Sequence, residues 1–354
     1  MKKPEILILG GGLSGLVTAY ELSKSGFSSN ILEARTRLGG RIYTLRPHKN
    51  ASIEMGATWL GKQHHHLRAL LDELNVSITE QYMGPTGFYE PMSVSPPQLV
   101  ELPPNQEPSY RIDGGTDTII NMLADHLEKD TLHLDEPVQE IERMDDGLVV
   151  QTEQNRFLAD YVISTLPPKL LADSITLTPA LPDALIQIAS NTHTWMAESI
   201  KVALTFDTPF WRQANSSGTI FSNVGPVNEM YDHSSESFYA LKGFMNGAYH
   251  AESPDKRKNL IIKQLHRFYR DRAESYLSYY DLAWKNEPYT FSDYQDTVIP
   301  HLNNGHEIYQ QPFFDGRLIL AGAETATHFP GYMDGAVESA LNAVKTLKEQ
   351  VLKA

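Results

Sequence analysis

Residues 6–41 read ILILGGGLSGLVTAYELSKSGFSSNILEARTRLGGR, and this stretch decides the fold. Ile6-Leu7-Ile8-Leu9 is a continuous apolar run, as a parallel strand buried on both faces requires. Gly10, Gly12 and Gly15 then give the spacing G-x-G-x-x-G. The first glycine permits the tight turn, the second lets a pyrophosphate approach the backbone, and the third lets the next helix pack closely on the strand. That helix is expected from Leu13 to near Gly26, which suits a C-cap. Leu13 and Ser14 lie at its amino end, where free N–H groups and the positive end of the helix dipole favour phosphate. A second apolar strand, Asn30-Ile31-Leu32, ends at Glu33, an acid placed to hydrogen-bond a ribose hydroxyl. The same acid argues against NADP, whose extra phosphate it would repel.

The residues that follow choose between two dinucleotides. Gly39, Gly40 and Arg41 come directly after, in EARTRLGGR. A nicotinamide cofactor has no evident use for a second glycine pair and an arginine. FAD has one, because its diphosphate and ribityl chain run on past the first turn. Glycines permit close backbone approach, and Arg41 is a fixed cation for phosphate.

With these residues in view, the sequence resembles the flavin-containing amine oxidase family, which includes monoamine and polyamine oxidases. The resemblance rests on GGGLSGL, LEARTRLGGRIYT, EMGATWLG at residues 54–61 and AGAETATHFPGYMDGAVESA at residues 321–340. The blocks occur at both ends of the chain in the family's order. The resemblance implies an α/β fold: a discontinuous FAD-binding Rossmann-type domain with an inserted α+β mixed-sheet substrate domain. The first would draw on residues 1–82, 112–196 and 287–354, the second on residues 83–111 and 197–286. FAD would be held by the glycine turn (Gly10, Gly12, Leu13, Ser14, Gly15), by Glu33, Ala34 and Arg35, and by Gly40 and Arg41. Gly56, Ala57, Thr58 and Trp59 would lie along the flavin, Val138 beside the adenine and Thr165 near the cofactor. Trp284, Gly322, Glu324, Met333 and Ala336 would complete the site.

Three residues carry the chemistry that the resemblance implies. Lys201 sits in the apolar strand pattern Ile200-Lys201-Val202-Ala203-Leu204-Thr205-Phe206. It is either a sheet-edge lysine with its amine in water or the family's lysine, which holds a water near flavin N5. Tyr289 and Tyr332 would face each other across the flavin's front and form walls for an amine nitrogen. In covalent members of the family a cysteine precedes the first tyrosine, whereas here Pro288 does. The chain has no cysteine at all, so the flavin is expected to be non-covalent, and thiolate metal sites and cysteine catalysis are excluded. The amino end of the last helix would favour negative charge on reduced flavin. The implied reaction is oxidation of a small-molecule amine, with molecular oxygen reduced to hydrogen peroxide. A flavin dehydrogenase or desaturase on another substrate, and a flavin-binding module with little turnover, stay open as alternatives.

Composition agrees with a chain that buries a substantial core. Apolar residues make up 41% of the 354 residues and charged residues 21%. No run of about 18 apolar residues occurs, so no membrane span is expected. The family's membrane anchor is not expected, and a cytoplasmic location is. The net charge of −14 disfavours nucleic acid and mildly favours cationic ligands.

The middle of the chain is less defined. His64-His65-His66 resembles a metal site, but consecutive helical residues point apart, so solvated or locally bonded histidines are expected. Residues 82–108, rich in Pro, Gly and Ser, read as an irregular crossing where the family carries a long helical part of the substrate domain. Its shortening predicts an open flavin face and leaves room for a homo-oligomer to supply a lid. Short strands are expected around residues 132–134, 137–141, 148–152, 156–160 and 161–166. Residues 255–280 read as an amphipathic helical region.

Overall fold

The computed structural model of the protein describes residues 3–48, 51–103, 107–235, 238–294 and 297–353. Its centre is a five-stranded parallel sheet in the spatial order Leu132–His133, Asn30–Leu32, Ile6–Leu9, Tyr161–Ser164, Leu318–Leu320. The Ile6–Leu9 strand is buried at all four positions. Its neighbours pair on both sides, so the apolar run has no polar face to offer. The strands come from both ends of the chain and from its middle.

The helix Leu13–Lys24 follows the glycine turn. It ends in a Schellman motif: Phe27 N–H donates to the Leu22 carbonyl and Gly26 N–H to that of Ser23, with Gly26 at a φ of 78° that suits glycine. Gly15 is there for packing. A Cβ built on it would lie 1.9 Å from the Gly10 carbonyl oxygen, so any side chain would push the helix off the strand. The long final helix, Met333–Lys353, packs against this first helix, where Ser14 and Ser339 join their hydroxyls at 3.2 Å.

A second, seven-stranded sheet faces the first unit. Its order is Ser278–Ala283, Ser199–Phe206, Tyr239–Asn246, Val227–Asp232, Ser216–Ser222, Thr86–Glu90, Gln98–Glu101. It corrects two expectations. Residues 82–108 are not simply irregular, since Thr86–Glu90 and Gln98–Glu101 form an antiparallel hairpin on the sheet's edge. The described prolines of this stretch fall in its turn and flanks, where no ladder N–H is needed. The helix predicted over residues 255–280 stops earlier, at Pro254–Tyr269. Arg270 takes a φ of 53°, and the alternating Ser278–Ala283 segment becomes the other edge strand, paired with Ser199–Phe206. Aromatic residues suit such a half-covered pleated surface.

The expected meander is present as Val138–Met144, Gly147–Thr152 and Arg156–Ala159, with the turn at Asp145 and Asp146. Among the described residues no helix is long and apolar enough to cross a membrane.

Candidate active site

A cavity of about 370 Å³ opens where the parallel strands end. Leu9 and Gly10, Leu32 and Glu33, Thr165, and Ala323 line it, each at or just beyond the carboxyl end of a strand. This is where an open α/β sheet places its ligand. The glycine turn closes one side. Gly12 bridges Gly39 in a short parallel pairing, and Gly39 N–H donates to the Gly11 carbonyl at 2.8 Å. The two glycine clusters thus form one floor. A Cβ on Gly40 would come within 3.3 Å of the Gly12 Cα, so only glycine lets the turns approach this closely.

Glu33 anchors that floor. Its buried carboxylate accepts Gly11 N–H at 2.7 Å with one oxygen and Arg35 N–H at 2.9 Å with the other. Arg35 then crosses to the far wall, donating to Thr290 Oγ1 at 2.6 Å. Thr165 ties the next strand in through a 2.8 Å bond to the Leu9 carbonyl. Arg41 forms a bidentate pair with Glu324: Nη2 meets Oε2 at 2.9 Å and Nη1 meets Oε1. Burial pushes the Glu324 carboxyl up, and the Arg41 guanidinium overrides this to hold it below the usual range. The positive charge expected to serve phosphate is therefore already compensated within the protein.

The final helix aims its amino end at the cavity, where Gly331, Tyr332, Met333 and Ala336 contribute to the lining. Asp334, buried in its first turn, accepts Leu67 N–H at 2.8 Å and so caps a second helix, His65–Glu73. His64 precedes that helix. Its Nδ1 accepts Gly61 N–H at 3.1 Å, and its ring packs edge-on against Phe329 at 4.7 Å. The histidine triplet is thus structural at His64, while His66 reaches Asp334 at 3.3 Å.

The seven-stranded sheet lies behind the lining. Lys201 is not at a sheet edge, because its strand runs between two others and the residue is 1% exposed. Its side-chain nitrogen lies 3.6 Å from the centre of the Phe244 ring and 6.0 Å from that of Trp59. Burial, and then the neighbouring Lys242 charge, hold the Lys201 amine well below the ordinary lysine range. Lys242 is a second buried lysine, which donates to Thr58 Oγ1 and lies 5.2 Å from the Trp59 ring centre. Sequence reasoning missed it. The alternation of Tyr239–Asn246 would have revealed it, since Lys242 and Phe244 share a face.

Most residues expected at the cofactor line this one cavity: Gly10, Gly12, Leu13 and Ser14; Glu33, Ala34 and Arg35; Gly40, Arg41 and Ala57; Val138 and Thr165; Trp284, Met333 and Ala336. Gly15, Gly56, Gly322 and Glu324 stand behind the wall and hold it. A Cβ on Gly322, whose φ is 122°, would lie 2.9 Å from the Thr165 carbonyl oxygen. Thr58, Trp59 and Lys201 also lie behind the lining. Trp59 pairs through its short strand with residues 110–112, which turns the indole toward Tyr231 and the lysines instead of along the cavity.

The two tyrosines differ most from expectation. Both line the cavity and both are substantially exposed, Tyr289 at 43% and Tyr332 at 40%. The ring stacked on Tyr332, however, is His301, at 5.4 Å and 14°. Tyr289 lies instead against Arg35, 5.7 Å from its guanidinium. Pairing of Arg35 with Thr290 and, at 3.5 Å, with Glu287 draws that segment toward the glycine floor.

Comparison with known proteins now decides the family. The model of flavin-containing amine oxidoreductases matches residues 13–90 and 87–347. The chain belongs to this family. It is similar to a probable flavin-containing monoamine oxidase A of Dictyostelium discoideum, 24% identical, with 98% of each chain covered. That alignment runs over 453 positions, more than the chain's 354 residues, so the relative carries segments absent here. The two matched pieces meet at residues 87–90, inside the edge hairpin that stands where an irregular crossing was expected. An L-amino acid dehydrogenase of Synechocystis is 22% identical over 97% of this chain and 94% of its own. A solved putrescine oxidase bound to putrescine shares the fold, with a TM-score of 0.84 at 22% identity over 98% of this chain and 99% of that one.

The amine oxidoreductase is thus an FAD-dependent enzyme acting on amines, and its residues fit the flavin dinucleotide. At Gly10, Gly11 and Gly39 the floor has no room for side chains, so a diphosphate can lie on backbone N–H groups. Glu33 directly follows the second strand, where folds of this kind hold a ribose. Val138, Trp284 and Tyr332 line the same cavity. Trp284 is 1% exposed and donates Nε1–H to the Met55 carbonyl at 2.7 Å, which fixes its indole as a rigid wall.

Proposed function

We propose that the enzyme oxidises an amine to an imine, which water converts to an aldehyde, and that oxygen is the electron acceptor and leaves as hydrogen peroxide. Flavin, when bound, supplies the two-electron chemistry; it is held without a covalent bond, in keeping with Pro288 and the absence of cysteine. The protein's part is position, dryness and proton control. Tyr332 and Tyr289 line the accessible end of the cavity and admit the amine; Trp284 excludes water from the far wall. Lys201 carries a neutral amine, able to accept a hydrogen bond from a water and to return a proton when oxygen is reduced. No acid–base dyad is needed if the substrate enters as the free amine.

The observation that carries this reading is the lysine buried in the seven-stranded sheet, behind the cavity lining. A buried amine is costly, and a strand with no use for one would hold an apolar residue. The similarity to an L-amino acid dehydrogenase supports one second reading, transfer to an acceptor other than oxygen. The test is an anaerobic panel of primary and secondary amines, read as bleaching of the flavin absorbance, followed by admission of air. Bleaching by an amine, with one peroxide formed per aldehyde on reoxidation, is expected. Bleaching without peroxide favours the dehydrogenase reading, and no bleaching by any amine overturns both. Acid precipitation should leave the yellow flavin in the supernatant; flavin that stays with the pellet contradicts non-covalent binding.

A further inference from the structure

The two buried lysines are neighbours by construction. In the antiparallel pairing of Ser199–Phe206 with Tyr239–Asn246, Lys201 is opposite Phe244 and Ala203 is opposite Lys242. Residues two apart share a face, so Lys201 and Lys242 are diagonal partners on one face. Both are at most 2% exposed, and both point their amines at the Trp59 ring. Their surroundings differ. Lys242 is bonded to Thr58 and is the lysine that Glu54 favours electrostatically. Glu54 is itself fixed, accepting Thr116 N–H at 2.8 Å and the Thr44 hydroxyl at 2.9 Å. Lys201 has aromatic rings instead, those of Phe244 and Trp59.

We propose that Lys242 is a positioning residue for Lys201: bonded to Thr58 on the same sheet face, it carries the ammonium charge of this buried pocket, so that the Lys201 amine stays neutral. The inference rests on the reading of Lys201 given above. Burial pushes the Glu54 carboxyl up, and the Lys242 charge opposes this. On Lys201, burial comes first and the Lys242 charge second, against weaker pulls from Glu54 and Glu229. On Lys242, burial lowers the amine to about 7, with Glu54 opposing and Arg111 assisting. His233, whose Nδ1 lies 3.0 Å from Arg111 Nη1, is buried and held neutral by its burial and then by Lys242, Arg111 and Lys201. Geometry separates the two lysines: Lys242 has a hydroxyl partner in Thr58, whereas Lys201 lies against the Phe244 and Trp59 rings. The second lysine is then left as an acceptor instead of a cation, which is the form that can hold a water and take or return a proton.

The experiment is an NMR titration of the lysine ε-methylene signals in the flavin-loaded protein, with Lys201 assigned by its loss in Lys201→Met. Wild type should show Lys201 losing its proton at lower pH than Lys242. In Lys242→Met the Lys201 midpoint should rise by about one pH unit or more, because a like charge has gone and Glu54 is freed to favour Lys201. Lys242→Arg, which keeps the charge, should restore a low midpoint. If Lys242→Met does not fold, Glu54→Gln with Lys242→Met removes both partners of the pair, a change cores tolerate better, and the midpoint should still rise, by less. A Lys201 midpoint unmoved in every folded variant overturns the proposal. This readout does not depend on the oxygen step: loss of that role for Lys201 would leave the titration result standing, and an unmoved midpoint would leave the oxygen step untouched.

Discussion

The glycine wall of the cavity and the seven-stranded sheet behind its lining use charge in opposite ways. On the glycine side, Arg41 forms a forked pair with Glu324 and cannot give up its proton, so this ion pair is a fixed part of the frame. On the sheet side, Lys201 and Lys242 lie close to aromatic rings with Glu54 as the shared carboxylate, and both amines are pulled toward neutrality. The first wall is built to bind the same way at any physiological pH. The second is built so that its protonation can change. A flavoenzyme needs both, a rigid seat for the dinucleotide and a titratable group beside the chemistry.

The largest effect should follow an attack on the rigid wall. Gly15→Val places a branched side chain where a single Cβ would already be 1.9 Å from the Gly10 carbonyl. Overpacking of this kind costs about 1–3 kcal/mol or more, and here it also displaces the phosphate-facing turn. The expected outcome is protein without flavin, read as the ratio of flavin to protein absorbance. Normal flavin content would mean that the turn is not the seat.

Removing the fixed ion pair comes next. Glu324→Gln leaves Arg41 buried beside a neutral amide, and breaking a buried pair costs roughly 3–5 kcal/mol. Because Arg41 stays charged, the loss in chemical denaturation should be nearly constant from about pH 6 to pH 9. A loss that vanishes at the higher pH would contradict the contrast between the walls.

The matching change on the other wall is Glu54→Gln. It should cost about 1–3 kcal/mol near pH 6 and less near pH 9. The sign follows from Lys242, whose folded value of about 7 lies below its unfolded one. Below that value the folded protein keeps the ammonium and needs Glu54; above it the amine is neutral and the carboxylate matters less. The smallest effect expected is a gain. Burial holds the folded Lys201 amine well below its unfolded range, so near pH 7 folding works against its proton at a cost. Lys201→Met should therefore raise the melting temperature near pH 7, and the gain should shrink as the pH approaches about 10. A loss of stability at neutral pH would show that the lysine supports the fold.

How much of this could be read in the sequence follows the same division. The glycine wall was legible because its parts are local: strand, turn, helix, strand and acid occur within residues 6–41, and each glycine has a backbone reason. Glu33 and Arg41 were found, but their protein partners were not, since Gly11 N–H and Glu324 are set by the way turns meet. On the sheet wall Lys201 could be read as a lone lysine among apolar residues, with edge and interior both open. Which one holds depends on strand order, and Tyr239–Asn246 and Ser278–Ala283 flank it only in space. Lys242 needed the register between two strands about 40 residues apart. The family resemblance pairs Tyr289 with Tyr332, yet the segment after Trp284 follows Arg35 and Thr290, and His301 occupies the face of Tyr332.

The contrast between a binding wall and a reactive wall is tested most directly by stopped-flow measurement of both half-reactions in Lys201→Met. Flavin content should match wild type, and anaerobic reduction by amine should change little. Reoxidation by oxygen should slow by at least about tenfold, the equivalent of about 1.4 kcal/mol in the barrier. Equal slowing of both half-reactions, or no change in either, would contradict the assignment of the oxygen step to the sheet wall.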